Sequence, residues 1–237
     1  MPTIAFFDVD ETLLNTKSMF DFLRFHRSAE EHRRATDRLG SMARAGVDRV
    51  EINRAYYRLW AGEDWAGLMK QGRAWYAEIR SGARIGPPFI ASTFAALGRH
   101  REAGHLIALM SGSFLPCLRP LADDLGVEIV LCTHPEVDAS GRLTGNVRHP
   151  MIGRSKGVVL HATARRRQAN LTDCHAYADH ASDLAMLRCV GHPHVVGSDP
   201  VLLATARVQG WPVLSAQATV DADLVGAEPV PTTRAGH

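Results

Sequence analysis

Short apolar runs that alternate with longer helical patterns constrain the fold of this 237-residue chain more than any other feature. The strand-like runs lie at 3–8, 105–110, 127–131, 174–178 and about 193–197, with a last short run near 212–214. The helical patterns between them lie at 86–103, 114–125, 155–168, 182–189 and 200–209. Strands that alternate with helices form βα units, so the sequence predicts an α/β protein with a parallel sheet.

Residues 16–85 interrupt this alternation, because they contain helical patterns and no convincing strand. The patterns lie at 18–27, 29–45, 48–60 and 64–80. We therefore expect an all-helical insertion after the first strand, the cap (16–85), and a core formed by 1–15 and 86–215. A hairpin is predicted within 132–149. From 216 to 237 the chain gains Pro, Thr and Gly and loses pattern, which predicts a flexible tail.

The composition is that of an ordinary globular protein, with 46% hydrophobic and 22% charged residues. A net charge of +2 gives no indication of nucleic-acid binding. No window of about 18 apolar residues predicts a membrane span, and the N-terminus does not resemble a signal peptide. The four cysteines have no CxxC spacing, so we expect reduced thiols in a cytoplasmic protein.

Two carboxylates, Asp8 and Asp10, directly follow the apolar run of residues 4–7. In an open parallel sheet, ligands bind beyond the carboxyl ends of the strands. Residues at i and i+2 of a strand share a face, and two carboxylates on one face repel unless a cation or a proton lies between them. The pair therefore suits Mg²⁺, an aspartyl nucleophile and a general acid/base. The alternative for the pair alone is a solvated acidic turn.

Two further segments suit a phosphate group. Ser111 and Gly112 follow the strand at 105–110 and precede a helix, where a hydroxyl and backbone N–H groups can hold a phosphate oxygen. An ordinary helix N-cap is the alternative. Lys156 opens another helix, although the helix dipole disfavours a cation there. Lys156 is therefore expected to neutralise a phosphoryl group or Asp8.

A last pair of carboxylates, Asp179 and Asp183, follows the strand at 174–178. Across a strand–helix junction one of them can ligate Mg²⁺, and the other can reach a water ligand or the lysine. Right-handed βα connections would gather all of these segments along one edge of the sheet. By contrast, three histidines, His134, His192 and His194, have no partners at ligand spacing in the sequence.

Together these segments resemble the haloacid dehalogenase superfamily of phosphatases. The motifs that carry the resemblance are DxDxT (Asp8, Asp10, Thr12), Ser-Gly (Ser111, Gly112), Lys156 and DxxxD (Asp179, Asp183). The chain is most similar to the phosphoserine-phosphatase-like branch, in which a helical cap follows the first motif. The resemblance implies a Rossmann-like parallel sheet and covers about residues 3–215.

The resemblance also implies a role for each residue. Asp8 would attack phosphorus and form an aspartyl-phosphate, and Asp10 would serve first as acid and then as base. Mg²⁺ would be held by Asp8, the backbone carbonyl of Asp10 and Asp179. The remaining roles are phosphate binding, by Ser111, Gly112 and Lys156, and orientation of neighbouring groups, by Thr12 and Asp183.

One departure from the family pattern concerns the substrate. Phosphoserine phosphatases carry a glutamate nine residues after the nucleophile, and this chain carries Lys17. A lysine would repel the ammonium group of phosphoserine and attract a second anionic group. We therefore expect a different small phosphorylated metabolite as the substrate, with Arg24, Arg49 and Arg54 as candidate cap contacts.

Three alternatives remain at this stage. A phosphotransferase or mutase would use the same aspartyl-phosphate intermediate. A non-catalytic protein could bind a phosphorylated ligand, although the intact set of motif residues argues against it. The third alternative is dehalogenase chemistry, which needs no Mg²⁺. The carboxylate of Asp10 and the pair of Asp179 and Asp183 favour phosphate chemistry instead. The sequence is compatible with a monomer or a homodimer.

Overall fold

A computed structural model describes residues 1–218 of the protein, and a six-stranded parallel sheet forms its centre. The strands are β1 (Ile4–Asp8), β2 (Leu106–Ser111), β3 (Ile129–Cys132), β4 (Pro135–Val137), β5 (Leu143–Val147), β6 (His175–Ala178), β7 (His192–Val196) and β8 (Val213–Leu214). The sheet has the order β3-β2-β1-β6-β7-β8, so the first strand of the chain lies inside it. The predicted α/β fold is confirmed.

β1 is buried along its whole length because both faces of the sheet are covered. Ile4 and Phe6 belong to one apolar cluster, and Ala5 and Phe7 belong to a second cluster. Alternate residues of a strand point to opposite faces, so the two clusters lie on opposite sides of the sheet. A continuous apolar run is typical of such a doubly covered parallel strand. The strand carries its last residue, Asp8, to the carboxyl edge of the sheet.

The described residues contain the α-helices α1 (Ser18–His26), α2 (Ala29–Arg44), α3 (Arg49–Arg58), α4 (Trp65–Arg80), α5 (Ala91–Glu102), α6 (Leu115–Asp124), α7 (Arg154–Arg166), α8 (Leu184–Leu187) and α9 (Pro200–Gln209). The prediction for α5 was wrong at its start. Pro87 and Pro88 precede the helix, and a proline disfavours helical backbone in the residue before it. α8 is also shorter than predicted, since a 3-10 turn occupies Ala181–Asp183.

Helices α1–α4 follow β1 in the chain, and polar side chains cap the starts of α2, α3 and α4. Ser28 and Glu31 form a capping box at the start of α2. The side chains of Asp48 and Asp64 accept backbone N–H groups at the starts of α3 and α4. Each cap satisfies donors that the first helical turn leaves unpaired, which is worth about 1 kcal/mol per helix.

Aromatic side chains fill the space between these helices and the loop that follows β2. Trp60 and Trp75 have no exposed surface. The rings of Phe22 and Trp60 stack at 5.5 Å, and each packs against Phe114 at 5.8 and 5.6 Å. Because Phe114 directly precedes α6, this cluster joins the helices α1–α4 to the sheet.

Helix α4 also approaches α6 at close range. A Cβ atom at Gly72 would lie 1.9 Å from the carbonyl oxygen of Pro116. Only glycine permits this separation of the two backbones.

Outside the sheet, β4 and β5 pair as an antiparallel hairpin, as predicted. The predicted tail at 216–237 lies mostly outside the described residues, although the Gln217 carbonyl accepts a hydrogen bond from the Ala91 N–H at 2.9 Å. Within residues 1–218 no helix has the length and hydropathy needed to cross a membrane.

Histidines gather near the amino ends of β6 and β7. This histidine cluster consists of His100, His105, His175, His192 and His194. Burial lowers the pKa of His100 to about 3, and it lowers the pKa values of His175 and His194 to about 4. These three rings are therefore neutral at pH 7.

Candidate active site

Loops from three neighbouring strands meet at the carboxyl edge of the sheet. β1 ends at Asp8, β2 ends at Ser111, and Asp179 directly follows β6. Since β2, β1 and β6 are adjacent in the sheet, the loops that follow them are also adjacent. The first turn of α7 adds Lys156 to this group.

Lys156 lies between two aspartates. Its Nζ atom is 2.6 Å from Asp8 Oδ1 and 2.7 Å from Asp183 Oδ2. The three residues are only 2%, 6% and 3% exposed, respectively. Buried charges persist when they are paired, so these contacts explain a lysine in the first turn of α7.

Burial and neighbouring charges set the protonation of this cluster. Burial raises the pKa of Asp8 well above its ordinary value, against the attraction of Lys156, and the negative charges of Asp183 and Asp179 raise the pKa further. Burial lowers the pKa of Lys156, but Asp183 and Asp8 outweigh burial and leave that pKa raised. The ammonium group therefore stays charged, and the carboxylates around it outnumber the cation.

Thr12 connects the first of these loops with the last. Its hydroxyl donates a hydrogen bond to Asp179 Oδ1 at 3.0 Å and lies 3.3 Å from Asp8 Oδ2. Its carbonyl accepts a hydrogen bond from the Thr93 hydroxyl on α5 at 2.6 Å. Thr12 is fully buried, so these bonds fix the positions of both carboxylates.

Asp10 belongs to a second chain of hydrogen bonds. Its Oδ1 accepts the backbone N–H of Ser18, the first residue of α1, at 3.0 Å. The Ser18 and Ser113 hydroxyls are 3.0 Å apart, and the Ser113 N–H donates to Ser111 Oγ at 3.0 Å. Burial raises the pKa of Asp10 to about 6, although the Ser18 bonds lower it. A carboxyl group that titrates near neutrality can act as both acid and base.

The carbonyl of Gly112 accepts two hydrogen bonds from α3. The donors are Asn53 Nδ2 and the Tyr57 hydroxyl, each at 3.0 Å. A Cβ atom at position 112 would lie 2.4 Å from Ile152 Cδ1. These contacts place α3 against the loop that follows β2. Asn53 could not be recognised from the sequence, because a single polar residue in an amphipathic helix carries no distinctive spacing.

Lys17 lies apart from the buried cluster. Its ammonium group pairs with Glu11 at 3.1 Å, and the two side chains are 58% and 50% exposed. Glu11 has a φ of 60°, in the left-handed region that favours glycine. The loop between Asp10 and α1 therefore carries local backbone strain, with an exposed ion pair above it.

A cavity of about 820 Å³ lies beside these loops. Asn53 and Ile152 are part of its wall, so the cavity reaches the loop of Gly112. Its basic lining residues are Lys17, Arg24, His32, Arg49 and His180, and its lining includes the carboxylate of Asp21. Burial lowers the pKa of His180. Most of the wall is apolar, but three of its charged side chains, Lys17, Arg24 and Arg49, are cationic and only Asp21 is anionic, which favours a ligand with an anionic group.

Comparison with known proteins decides the family. Residues 5–188 match the haloacid dehalogenase-like hydrolases. The chain belongs to this family. It is 30% identical to the inhibition of morphological differentiation protein of Streptomyces azureus, over 90% of this chain and 78% of that protein. It is also 30% identical to a probable phosphatase of Mycobacterium tuberculosis, over 90% and 75% of the two chains. The family match, together with relatives named as phosphatases, shows that this hydrolase is a phosphoric monoester hydrolase.

Solved structures support the fold of the hydrolase. A Bordetella pertussis protein of unknown function matches 92% of this chain and all of its own, with a TM-score of 0.78 and 25% identity. A substrate-bound phosphoserine phosphatase matches 93% of this chain and 95% of its own, with a TM-score of 0.67 and 18% identity. The predicted resemblance to phosphoserine phosphatases is confirmed.

The carboxylates of the hydrolase fit a magnesium ion. One oxygen each from Asp8, Asp179 and Asp183 lie within 4.8 Å of one another. Mg²⁺ prefers oxygen ligands, and it is commonly bound through one or two carboxylates together with waters. The carboxylates around Lys156 carry more negative charge than the lysine can neutralise, which also favours a bound cation.

The structure brings most residues predicted from the motifs together. Asp183 contacts Lys156, as predicted, and it also belongs to the carboxylate set that fits Mg²⁺. Arg54 does not line the cavity, because it pairs with Glu51 on the exposed side of α3 at 2.7 Å.

Proposed function

We propose that this phosphatase depends on Mg²⁺ and hydrolyses phosphomonoesters of small metabolites through an aspartyl-phosphate on Asp8. The observation that carries the proposal is the buried cluster of Asp8, Lys156 and Asp183 at the carboxyl edge of the sheet. A carboxylate on the surface would be stabilised by water, whereas the buried Asp8 needs the positive charge of Lys156 beside it.

The metal site of this proposal consists of Asp8, Asp179 and the backbone carbonyl of Asp10, with Asp183 close by. When bound there, Mg²⁺ would neutralise negative charge on the transferring phosphoryl group. Thr12 holds the carboxylates of Asp8 and Asp179 in place for this role.

In the first step, a carboxylate oxygen of Asp8 attacks phosphorus and the ester P–O bond breaks. The Asp10 carboxyl group donates its proton to the leaving oxygen, so the alcohol departs neutral. In the second step, Asp10 takes a proton from the water that attacks phosphorus. The bond from phosphorus to Asp8 then breaks, and inorganic phosphate leaves.

Three groups would bind the phosphoryl oxygens during both steps. Lys156 supplies a fixed positive charge, while the Ser111 hydroxyl and the Gly112 N–H supply hydrogen bonds. The Gly112 carbonyl accepts two hydrogen bonds from α3, which restrain the backbone of the loop that carries these groups.

The cavity supports a substrate with a second anionic group. Among residues 1–218, no carboxylate lies within ion-pair distance of Arg49, which lines the cavity. Arg24 pairs with Asp21 at 3.0 Å, so its charge is already compensated. We therefore assign the second anionic group to Arg49, since Lys17, which lines the same cavity, already pairs with Glu11.

Asn53 supports a hydrogen-bond donor on the same substrate. Its Oδ1 atom is buried and has no partner within the described part of the chain. The amide cannot be reversed, because Nδ2 already donates to the Gly112 carbonyl. A buried acceptor without a partner is costly, so a substrate hydroxyl or N–H group beside the phosphate would complete it.

Release of inorganic phosphate from a panel of metabolite phosphomonoesters, with Mg²⁺ or with EDTA, tests the mechanism. We expect release only with Mg²⁺, and a loss of several powers of ten in Asp8→Asn. With a ³²P-labelled aryl phosphate, whose leaving group needs no proton from Asp10, Asp10→Asn should accumulate acid-stable label on the protein, whereas Asp8→Asn should not. Asp37→Asn, at an exposed ion pair on α2, is the matched control. Label that persists in Asp8→Asn would refute the nucleophile.

The substrate proposal has its own test on α3. Arg49→Met should raise KM for substrates with a second anionic group about tenfold and leave kcat nearly unchanged, because the lost contact is uniform binding. Arg54→Met removes an arginine from the same helix outside the cavity and should leave KM unchanged. Equal KM values for the two variants would refute the assignment of Arg49.

A further inference from the structure

The histidine cluster lies away from the carboxylates, near the amino ends of β6 and β7. His175 begins β6 and pairs in register with His192, while His194 pairs with Tyr177. Residues at i and i+2 of a strand share a face, so the side chains of both pairs point to the same side of the sheet. His100 reaches that side from α5, and His105 precedes β2.

Three members of the histidine cluster bring ring nitrogens together. The Nδ1 atoms of His100 and His105 are 2.9 Å apart. One nitrogen each from His100, His105 and His175 lie within 4.8 Å of one another. Nitrogen ligands at about 2.0–2.1 Å from a tetrahedral Zn²⁺ are about 3.3 Å apart, so the separations of at most 4.8 Å need to shorten by no more than about 1.5 Å.

The opposite nitrogen of His100 already has the contact that a metal ligand needs. Its Nε2 atom lies 2.9 Å from the Tyr177 hydroxyl. Histidines that bind metals through one ring nitrogen commonly donate the other N–H to an oxygen, which fixes the ring and its tautomer. With Nε2–H donating to Tyr177, the lone pair of Nδ1 points toward His105.

The remaining rings support the same centre. His175 stacks on His192 at 4.6 Å, and its Nδ1 atom lies 3.4 Å from His194 Nε2. His100 is buried, His105 and His175 are partly exposed, and His192 is exposed. The cluster therefore has a rigid interior and a path from solvent, as a metal site requires.

We propose that His100, His105 and His175 form a binding site for a divalent transition metal such as Zn²⁺, separate from the carboxylate site. Imidazole nitrogen favours Zn²⁺, Co²⁺ and Ni²⁺, whereas carboxylate and carbonyl oxygen favour Mg²⁺. Such an ion would tie α5 to β6 and the segment that precedes β2. The site therefore stabilises the fold and takes no part in phosphoryl transfer.

Titration of the full-length, tag-free protein with Zn²⁺ tests the site. Excess Mg²⁺ in the buffer keeps the carboxylates occupied. We expect one Zn²⁺ per chain in calorimetry, and a rise in Tm that grows with Zn²⁺ concentration. His105→Asn and His175→Asn should each weaken binding at least about tenfold. His161→Asn, at an exposed position on α7, is the matched control and should bind as the wild type does.

Co²⁺ gives a spectroscopic signature of the same site. Visible absorption of the Co²⁺ protein should disappear in His105→Asn, while Asp179→Asn should retain it. Without metal, each variant should unfold cooperatively at the Tm of the wild type. A loss of metal binding then cannot be attributed to a loss of folding. Absence of a one-to-one Zn²⁺ complex, or equal binding by His105→Asn and His161→Asn, would overturn the proposal.

Discussion

Removal of the Lys156 charge gives the sharpest test of how the buried cluster is stabilised. In Lys156→Met, the two aspartates at 2.6 and 2.7 Å lose their shared counter-ion. The methionine side chain still fills the space that the aliphatic part of the lysine occupied. Loss of one partner from a buried ion pair costs about 3–5 kcal/mol, because the other charge stays buried and unpaired. We expect a decrease of that size in the free energy of unfolding at pH 7 in EDTA.

The decrease should depend on pH with a defined sign. Burial raises the pKa of Asp8 even with Lys156 present, and removal of the lysine takes away the attraction that opposes this rise. The folded variant then binds more protons than the unfolded chain, so its stability is greatest at low pH and is lost as pH rises. As pH falls from 7 to 5, the difference in unfolding free energy between the variant and the wild type should shrink by up to about 1.4 kcal/mol per pH unit.

Urea unfolding followed by circular dichroism measures both effects. Lys17→Met is the matched control, since the same substitution at an exposed ion pair should change the unfolding free energy by no more than about 0.5 kcal/mol. If the two variants were equally stable at pH 7, or if the deficit did not change with pH, the assignment of Lys156 as the essential counter-ion would be wrong.

Two further predictions concern other parts of the molecule. Gly72→Ala places a Cβ atom 1.9 Å from the Pro116 carbonyl and should lower the unfolding free energy in urea by about 1–3 kcal/mol. Gly98→Ala, at an open position of α5, should raise it by up to about 1 kcal/mol. Because the pKa of Asp10 is raised to about 6, Asp10→Asn in EDTA should gain stability relative to the wild type as pH rises from 4 to 7. Urea midpoints across that range should show a gain on the order of 3 kcal/mol, and no gain would contradict the shifted pKa.

The sheet could be predicted because β1, β2 and β3 are largely apolar runs and helical patterns separate the strands of the sheet. The location of the site followed from the same pattern, since a polar residue after a buried parallel strand must lie at the carboxyl edge. Lys156 was detectable by its conflict with the helix dipole. Such signals are local in sequence, so no knowledge of packing was needed to find them.

Contacts between distant segments could not be predicted in this way. The bond from Asn53 to the Gly112 carbonyl depends on how α3 lies against the loop after β2. His192 and His194 have no partners at ligand spacing in the sequence, and the register of β6 with β7 brings them to His175. Register and helix placement are properties of the whole fold, which one sequence pattern does not specify.

The central position of β1 has a consequence for synthesis of the chain. Ile4 pairs with Leu106 and Ala5 pairs with His175, so the first strand made is completed by partners made much later. At translation rates of about 5–20 residues per second, the first partner follows about 100 residues and roughly 5–20 s later. During that interval the apolar residues of β1 stay unpaired while helices α1–α4 are synthesised. Chaperone demand should therefore peak before β2 is made, and substitutions that slow β1 pairing should reduce the yield of soluble protein more than its final stability.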